Sequence, residues 1–216
     1  DIRDLSDLAY FPSLTAVSVQ FQSLTSLESL PACGVEMFDV SANRLTSLSG
    51  IEQLPKLTAL TADGNAVTDL TGLGRCLNVR KLSLNGANVS DLSELRALTK
   101  LQDVTLSHCT RRELLIVLHK SSLTHLTLVG CDLRGDFFRS FDRERALTAL
   151  SLTDCELDST SGLEDFTGLT ELTVRGVSGT FDWSALGGLP LQTVTADALQ
   201  ADAIAAATTV AVAVVD

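Results

Sequence analysis

A hydrophobic pattern of the form L-x-x-L-x-L recurs along this chain at nearly constant spacing, and it restricts the fold more than any other feature. Its units begin at Leu14, Val35, Leu57, Val79, Leu101, Leu123, Leu147, Leu169 and Leu191. The offsets run 21, 22, 22, 22, 22, 24, 22 and 22 residues, a regularity that unrelated helices and strands do not produce. A unit this short cannot bury its apolar side alone, so the units must stack.

Within each unit the alternation predicts one short strand, with Leu57, Leu60 and Ala62 facing a core and Ala59, Thr61 and Asp63 facing out. Stacked strands align into a parallel sheet at about 4.8 Å spacing. Bulkier turns or helices behind them bend the stack, which puts the sheet on the concave side. Composition agrees: the chain is 45% hydrophobic but only 5% aromatic, as suits a repeated aliphatic layer.

The segment Leu57-Thr-Ala-Leu-Thr-Ala-Asp-Gly-Asn65-Ala-Val67 closely resembles the L-x-x-L-x-L-x-x-N-x-L motif of the leucine-rich-repeat family. The resemblance covers about residues 14 to 199. The continuation Thr68-Asp69-Leu70-Thr71-Gly72-Leu73 resembles the short class of phosphatase-regulating subunits and bacterial internalins. It implies an α/β solenoid: a curved right-handed stack with a parallel concave sheet, and short turns, 3-10 and α helices on the convex face. We expect one domain over 1–216, with 1–13 a partial repeat or minimal cap, about nine repeats over 14–199, and a capping helix or strand over 200–216.

The motif's ninth position normally carries Asn, whose amide satisfies backbone groups where the chain leaves the strand. Here it reads Gln22, Asn43, Asn65, Ala87, Cys109, Cys131, Cys155, Val177 and Leu199. A buried thiol donates weakly to a carbonyl while packing as a small hydrophobe. Cys33 and Cys76 fall where neighbouring units have Leu54 and Leu98, so all five cysteines are expected in the core. Their odd number and the lack of a C-x-x-C spacing argue against a disulfide framework and a zinc site.

From Thr110 the back of the repeat changes. Leu114, Leu115, Val117 and Leu118 stand at helical spacing, and Phe137, Phe138 and Phe141 repeat this in a unit two residues longer. We expect full helices there, similar to the repeats of ribonuclease inhibitors and of the sensors in NACHT-type immune proteins, and a change of curvature near residue 110. At the ends, Ile2 to Phe11 reads as a minimal cap or the remnant of a further repeat, and Thr209 to Val215 as a last strand.

Function on such a scaffold belongs to the outward strand positions. The central column, from Ser18 through Thr61, Ser83 and Thr127 to Thr195, is almost wholly small hydroxyls, which suit an exposed strand. One step earlier stand Lys81, Asp103, His125 and Glu171, of which the first three are expected side by side. Later columns add Asp63, Ser107 and Arg175, then Phe21, Gly64, Gly86, His108 and Asp154. Lys81, Asp103, His125, Glu171, Arg175, Asp63, His108 and Asp154 are the candidate partner-binding residues. The glycines are read as a shallow edge open to a partner.

Catalysis finds no support. His108 and Cys109 face opposite ways, so no Cys-His pair results, and neither H-E-x-x-H nor a phosphate-binding glycine loop occurs. We expect no cofactor and no metal. A net charge of −11 disfavours nucleic acid and anionic membrane surfaces, and no run of 18 apolar residues exists. Asn88-Val-Ser90 is a lone glycosylation sequon. The expectation is a cytoplasmic module for protein or peptide binding or ligand sensing, with flanking domains as in an NLR-like sensor. The alternatives are a structural spacer or the substrate-recognition part of a ubiquitin ligase.

Overall fold

The computed structural model describes residues 2–141 and 146–215. They fall into two compact units, Asp1–His108 and Cys109–Asp216, divided close to Thr110. In the first, strands β1 (Ala16–Ser18), β2 (Met37–Asp39), β3 (Ala59–Thr61), β4 (Lys81–Leu84) and β5 (Asp103–Ser107) pair in parallel in chain order. In the second, β6 (His125–Val129), β7 (Ala149–Thr153), β8 (Glu171–Arg175), β9 (Thr193–Asp197) and β10 (Val212–Val215) do the same.

Register carries the repeat into three dimensions. Leu60 pairs with Phe38 on one side and Leu82 on the other, so equivalent motif positions lie beside each other. Leu57, Leu60, Ala62, Leu82, Leu84 and Val104 are fully buried, and Leu126, Leu150 and Leu172 nearly so. Each buried leucine stabilises the stack by about 1.5–3 kcal/mol before entropy is subtracted.

Where each strand ends, the position before the motif's ninth residue is left-handed in eight successive repeats. Phe21, Ala42, His108 and Asp154 have φ of 54–55°, and Gly64, Gly86, Gly130 and Gly176 share the region. The glycines thus serve the backbone, which corrects the reading of this column as an open edge; an L-residue is strained there by about 1 kcal/mol.

Short 3-10 turns return the chain at Ile51–Gln53, Leu73–Arg75 and Ser93–Ala97 in the first unit, and at Leu163–Asp165 and Ser184–Gly188 in the second. Gly50, Gly72 and Gly162 precede three of them in the left-handed region, and a Cβ on Gly50 would strike the Leu27 carbonyl.

Among the described residues the helical expectation holds for one of the two repeats. Helix α1 (Arg111–Leu118) buries Leu114, Val117 and Leu118 but leaves Leu115 exposed, which places the apolar stripe one residue to the side of Leu115. Its start is a capping box: Thr110 accepts from the Glu113 N–H and the Glu113 carboxylate accepts from the Thr110 N–H.

The next repeat has no α-helix among its described residues. Left-handed Gly135 and Asp136 lead into a 3-10 turn at Phe137–Ser140, and part of the expected helix falls on 142–145, outside the described residues. Around this turn Phe137, Phe138, Phe141 and Phe166 pack edge to face at centroid distances of 4.8–6.0 Å.

The terminal repeats also depart from the pattern. Leu14 is exposed, and Leu199 is exposed within helix α2 (Ala198–Ala207), which leads to β10, the expected last strand. Ahead of β1, Leu5 is buried and its N–H donates to Ser29 Oγ, while the Ile2 N–H donates to Gln22 Oε1. Cys33 is half-buried, so the all-core expectation holds fully for Cys76, Cys109, Cys131 and Cys155.

Candidate functional site

What satisfies the turn after each strand is the key to what remains free for a partner. Asn43 Nδ2 donates to the carbonyls of Val19, Val40 and Ser41 while its Oδ1 accepts from the Leu24 N–H. Asn65 repeats this against Val40, Ala62, Asp63 and Leu45. Both side chains are buried, so each ties neighbouring repeats through backbone groups that water cannot reach.

Where Asn is missing, other residues supply the bonds. Ser107, expected to face out, is 2% exposed. Its Oγ lies 2.9 Å from the Ala87 carbonyl and 3.3 Å from that of Leu84, and accepts from the Gly86 N–H at 2.8 Å. Alanine at the ninth position removes an amide and leaves room, and the serine of the next strand turns inward to fill it.

Gln200 performs the same task one residue after Leu199. Its Nε2 donates to Val177 and Gly179, and its Oε1 accepts from Trp183 Nε1 at 3.1 Å. The sequence signal for Ser107 was the Ala87 gap; nothing local marked Gln200.

The cysteine positions behave as predicted for thiols in a dry turn. Cys155 Sγ donates to Leu128 and Thr153, Cys131 Sγ to Val129, and the Cys109 N–H to Cys131 Sγ at 3.4 Å. The neighbouring Cys109 thiol and then burial raise the Cys131 pKa, and the Cys131 thiol and burial raise that of Cys155. Burial and then the charge of Glu52 push the Cys76 thiol up to about 11. Raised pKa values are the opposite of what a nucleophilic cysteine needs.

Of the candidate residues, Lys81 and Asp103 meet across β4 and β5 at 2.7 Å. Both are solvent-facing, with side chains 59% and 34% exposed, so the pair stabilises by less than about 1 kcal/mol. Asp63 is fixed on the same unit: its Oδ1 accepts from Ser83 Oγ and the Asn85 N–H. His108 is exposed at its left-handed turn.

On the second unit His125 is exposed, with Nδ1 2.9 Å from Thr124 Oγ1. Glu171 and Arg175 stand exposed at the two ends of β8, and Asp154 is exposed at its left-handed turn. From β4 on, the strand faces of each unit are therefore narrow polar tracks with small hydroxyls at the centre and charges at the margins. Carboxylates elsewhere also hold turns. Asp197 caps α2, and Arg134 lies between Asp132 at 2.6 Å and Glu156 at 3.3 Å on a ladder of isolated bridges.

No protein-family model and no curated protein matches the chain. Solved structures do. An internalin C2 from Listeria monocytogenes is 18% identical, with a TM-score of 0.62 over 85% of this chain and 81% of its own. A second Listeria monocytogenes internalin is 22% identical, with a TM-score of 0.67 over 96% of this chain and 64% of its own. The protein chain of a TLR13–ssRNA13 complex is 18% identical, with a TM-score of 0.70 over 97% of this chain but only 29% of its own. These likenesses, with the paired parallel strands and the turn amides described above, give this chain the α/β leucine-rich-repeat fold.

Proposed function

We propose that this chain is a protein-recognition module that holds a protein or peptide partner against the outward strand columns of its units, and that it performs no catalysis of its own. The observation that carries the reading is the division of labour in the repeat. Large aliphatic residues are consumed in the core and buried amides, hydroxyls and thiols in the turns, leaving the strand positions as a rigid exposed display. Raised thiol pKa values further support a role without nucleophilic chemistry. Among the described residues no helix is long and apolar enough to cross a membrane.

A protein partner suits this face better than nucleic acid, because a net charge of −11 opposes phosphate contacts. One neighbouring structure is a complex with single-stranded RNA, but its likeness concerns the fold alone. We place the module in a larger multidomain protein, an NLR-like sensor or the recognition part of a ligase, because a repeat array displays a binding surface without any catalytic group of its own. A cytoplasmic setting is favoured by five free cysteines.

The test is partner capture by the full chain with Asp103→Lys, Glu171→Lys and Arg175→Glu. Proteins retained by the wild type are identified by mass spectrometry, with the thermal midpoint followed in parallel. The expected result is loss of a wild-type partner with the midpoint nearly unchanged. Equal capture by the variant overturns the assignment of those positions.

A further inference from the structure

The strand face of the first unit is not uniformly polar. On β1 to β3 it carries a depression of about 340 Å³ whose lining includes Ala16, Val17, Met37, Phe38, Asp39 and Ala59. Met37 is 53% exposed there, although the equivalent positions on β4 and β5 carry Lys81 and Asp103. Asp39 lines this floor, and Asp63 stands two residues after Thr61, level with Ser41 on the neighbouring strand. Asp39 accepts from Ser41 N–H and Oγ and from Gln20 Nε2, and Asp63 accepts from Ser83 Oγ and the Asn85 N–H. Neutral donors hold both in place, and among the described residues neither is in an ion pair. Beyond them stands Phe21, 78% exposed, in the left-handed column filled by glycine in four other repeats.

Met37, Asp39 and Phe21 succeed one another along the strand direction, with Asp63 on the strand to the other side of β2. Met37 begins β2, Asp39 is two residues on, and Phe21 lies level with Ser41 and Ala42, its N–H donating to the Ser41 carbonyl. Alternate side chains on an extended chain are about 6.6 Å apart, so the track matches a peptide with side chains facing it at every second residue.

We propose that this track is a subsite for an extended segment of a partner protein bearing an aliphatic, a basic and an aromatic residue at alternate positions. The aliphatic side chain fills the depression at Met37 and Ala59, the lysine or arginine pairs with Asp39 and Asp63, and the aromatic ring packs on Phe21. Charge selects this occupant. The pre-positioned carboxylates meet a cation without reorganising, and a second copy of a chain carrying −11 is repelled. The proposal rests on the recognition role argued above and adds the chemistry of what is recognised.

The experiment titrates the isotope-labelled full chain with the synthetic peptide Ser-Leu-Ser-Arg-Ser-Phe-Ser and follows backbone amide shifts. A control peptide has glutamate in place of arginine. Shifts centred on Met37, Ala59 and Phe21, weakened about tenfold by the control peptide and by Asp39→Asn with Asp63→Asn, are expected. Met37→Ser, which keeps the charges, should weaken binding of both peptides. Equal binding of the glutamate peptide, or shifts confined to Lys81, Asp103 or the second unit, overturns the subsite while leaving the broader reading standing. Absence of any shift also overturns it, and the broader reading is then judged by its own capture experiment. The same shifts on concentrating the protein alone would make the occupant a second copy and overturn the peptide.

Discussion

Ser107 shows how much a single side chain can do when a motif position fails. Ser107→Ala would leave the Ala87 carbonyl and the Gly86 N–H short of a partner, while the Leu84 carbonyl keeps the Ala87 N–H, and we expect a loss of about 1–3 kcal/mol in urea unfolding. Adding Ala87→Asn, which restores the amide seen at Asn65, should recover part of it. If Ser107→Ala is neutral, the hydroxyl is not satisfying that turn. Cys76 gives a pH-dependent counterpart. Its folded thiol is raised from 9.0 to about 11, so the folded state holds the proton more tightly than the unfolded chain. Its contribution is therefore complete below pH 9 and is lost as pH rises from 9 to about 11. Unfolding curves of wild type and Cys76→Ala should converge over that window, and a constant gap between them would contradict the assignment.

At the scale of elements, α1 depends on its first turn. Thr110→Ala should cost about 1 kcal/mol, and Glu113→Ala should be less than additive with it, because the two residues cap each other reciprocally. Among its described residues the following repeat is held by rings around a 3-10 turn. Phe138→Ala, at a fully buried site packed edge to face on Phe137 and Phe166, should cost about 3–5 kcal/mol. The three phenylalanines were legible in the sequence as core, but their spacing fits a helix and a 3-10 turn alike. The left-handed Gly135 and Asp136 decided between them.

Within each unit, contacts run chiefly between successive repeats, so damage should stay local. Leu60→Ala should speed hydrogen exchange most in β2, β3 and β4, its own strand and paired neighbours, and least in β8 and β9. A uniform rise through all strands would mean one cooperative block. At this scale repeat phase did most of the predictive work: it located every strand of the array, the inward positions of Leu57, Leu60 and Ala62, and the pairing of Lys81 with Asp103. It failed at Leu14 and Leu199, where the terminal repeats depart from the motif.

The sequence by itself determined the periodic part of this protein, because a two-residue alternation repeated about every 22 residues leaves the apolar side chains one common place to go. It also placed four of five cysteines correctly, since burial follows phase. Tertiary structure alone decided which polar groups were already spent. Ser107 turns inward because a neighbouring repeat carries alanine, Gln200 because carbonyls lie more than twenty residues away, and the turn glycines are fixed by backbone torsion. Such roles depend on the partner across the stack, which no local pattern contains. The same is true of the Met37, Asp39 and Phe21 track, in which β2 supplies two members and the preceding repeat the third, brought together only when the strands pair.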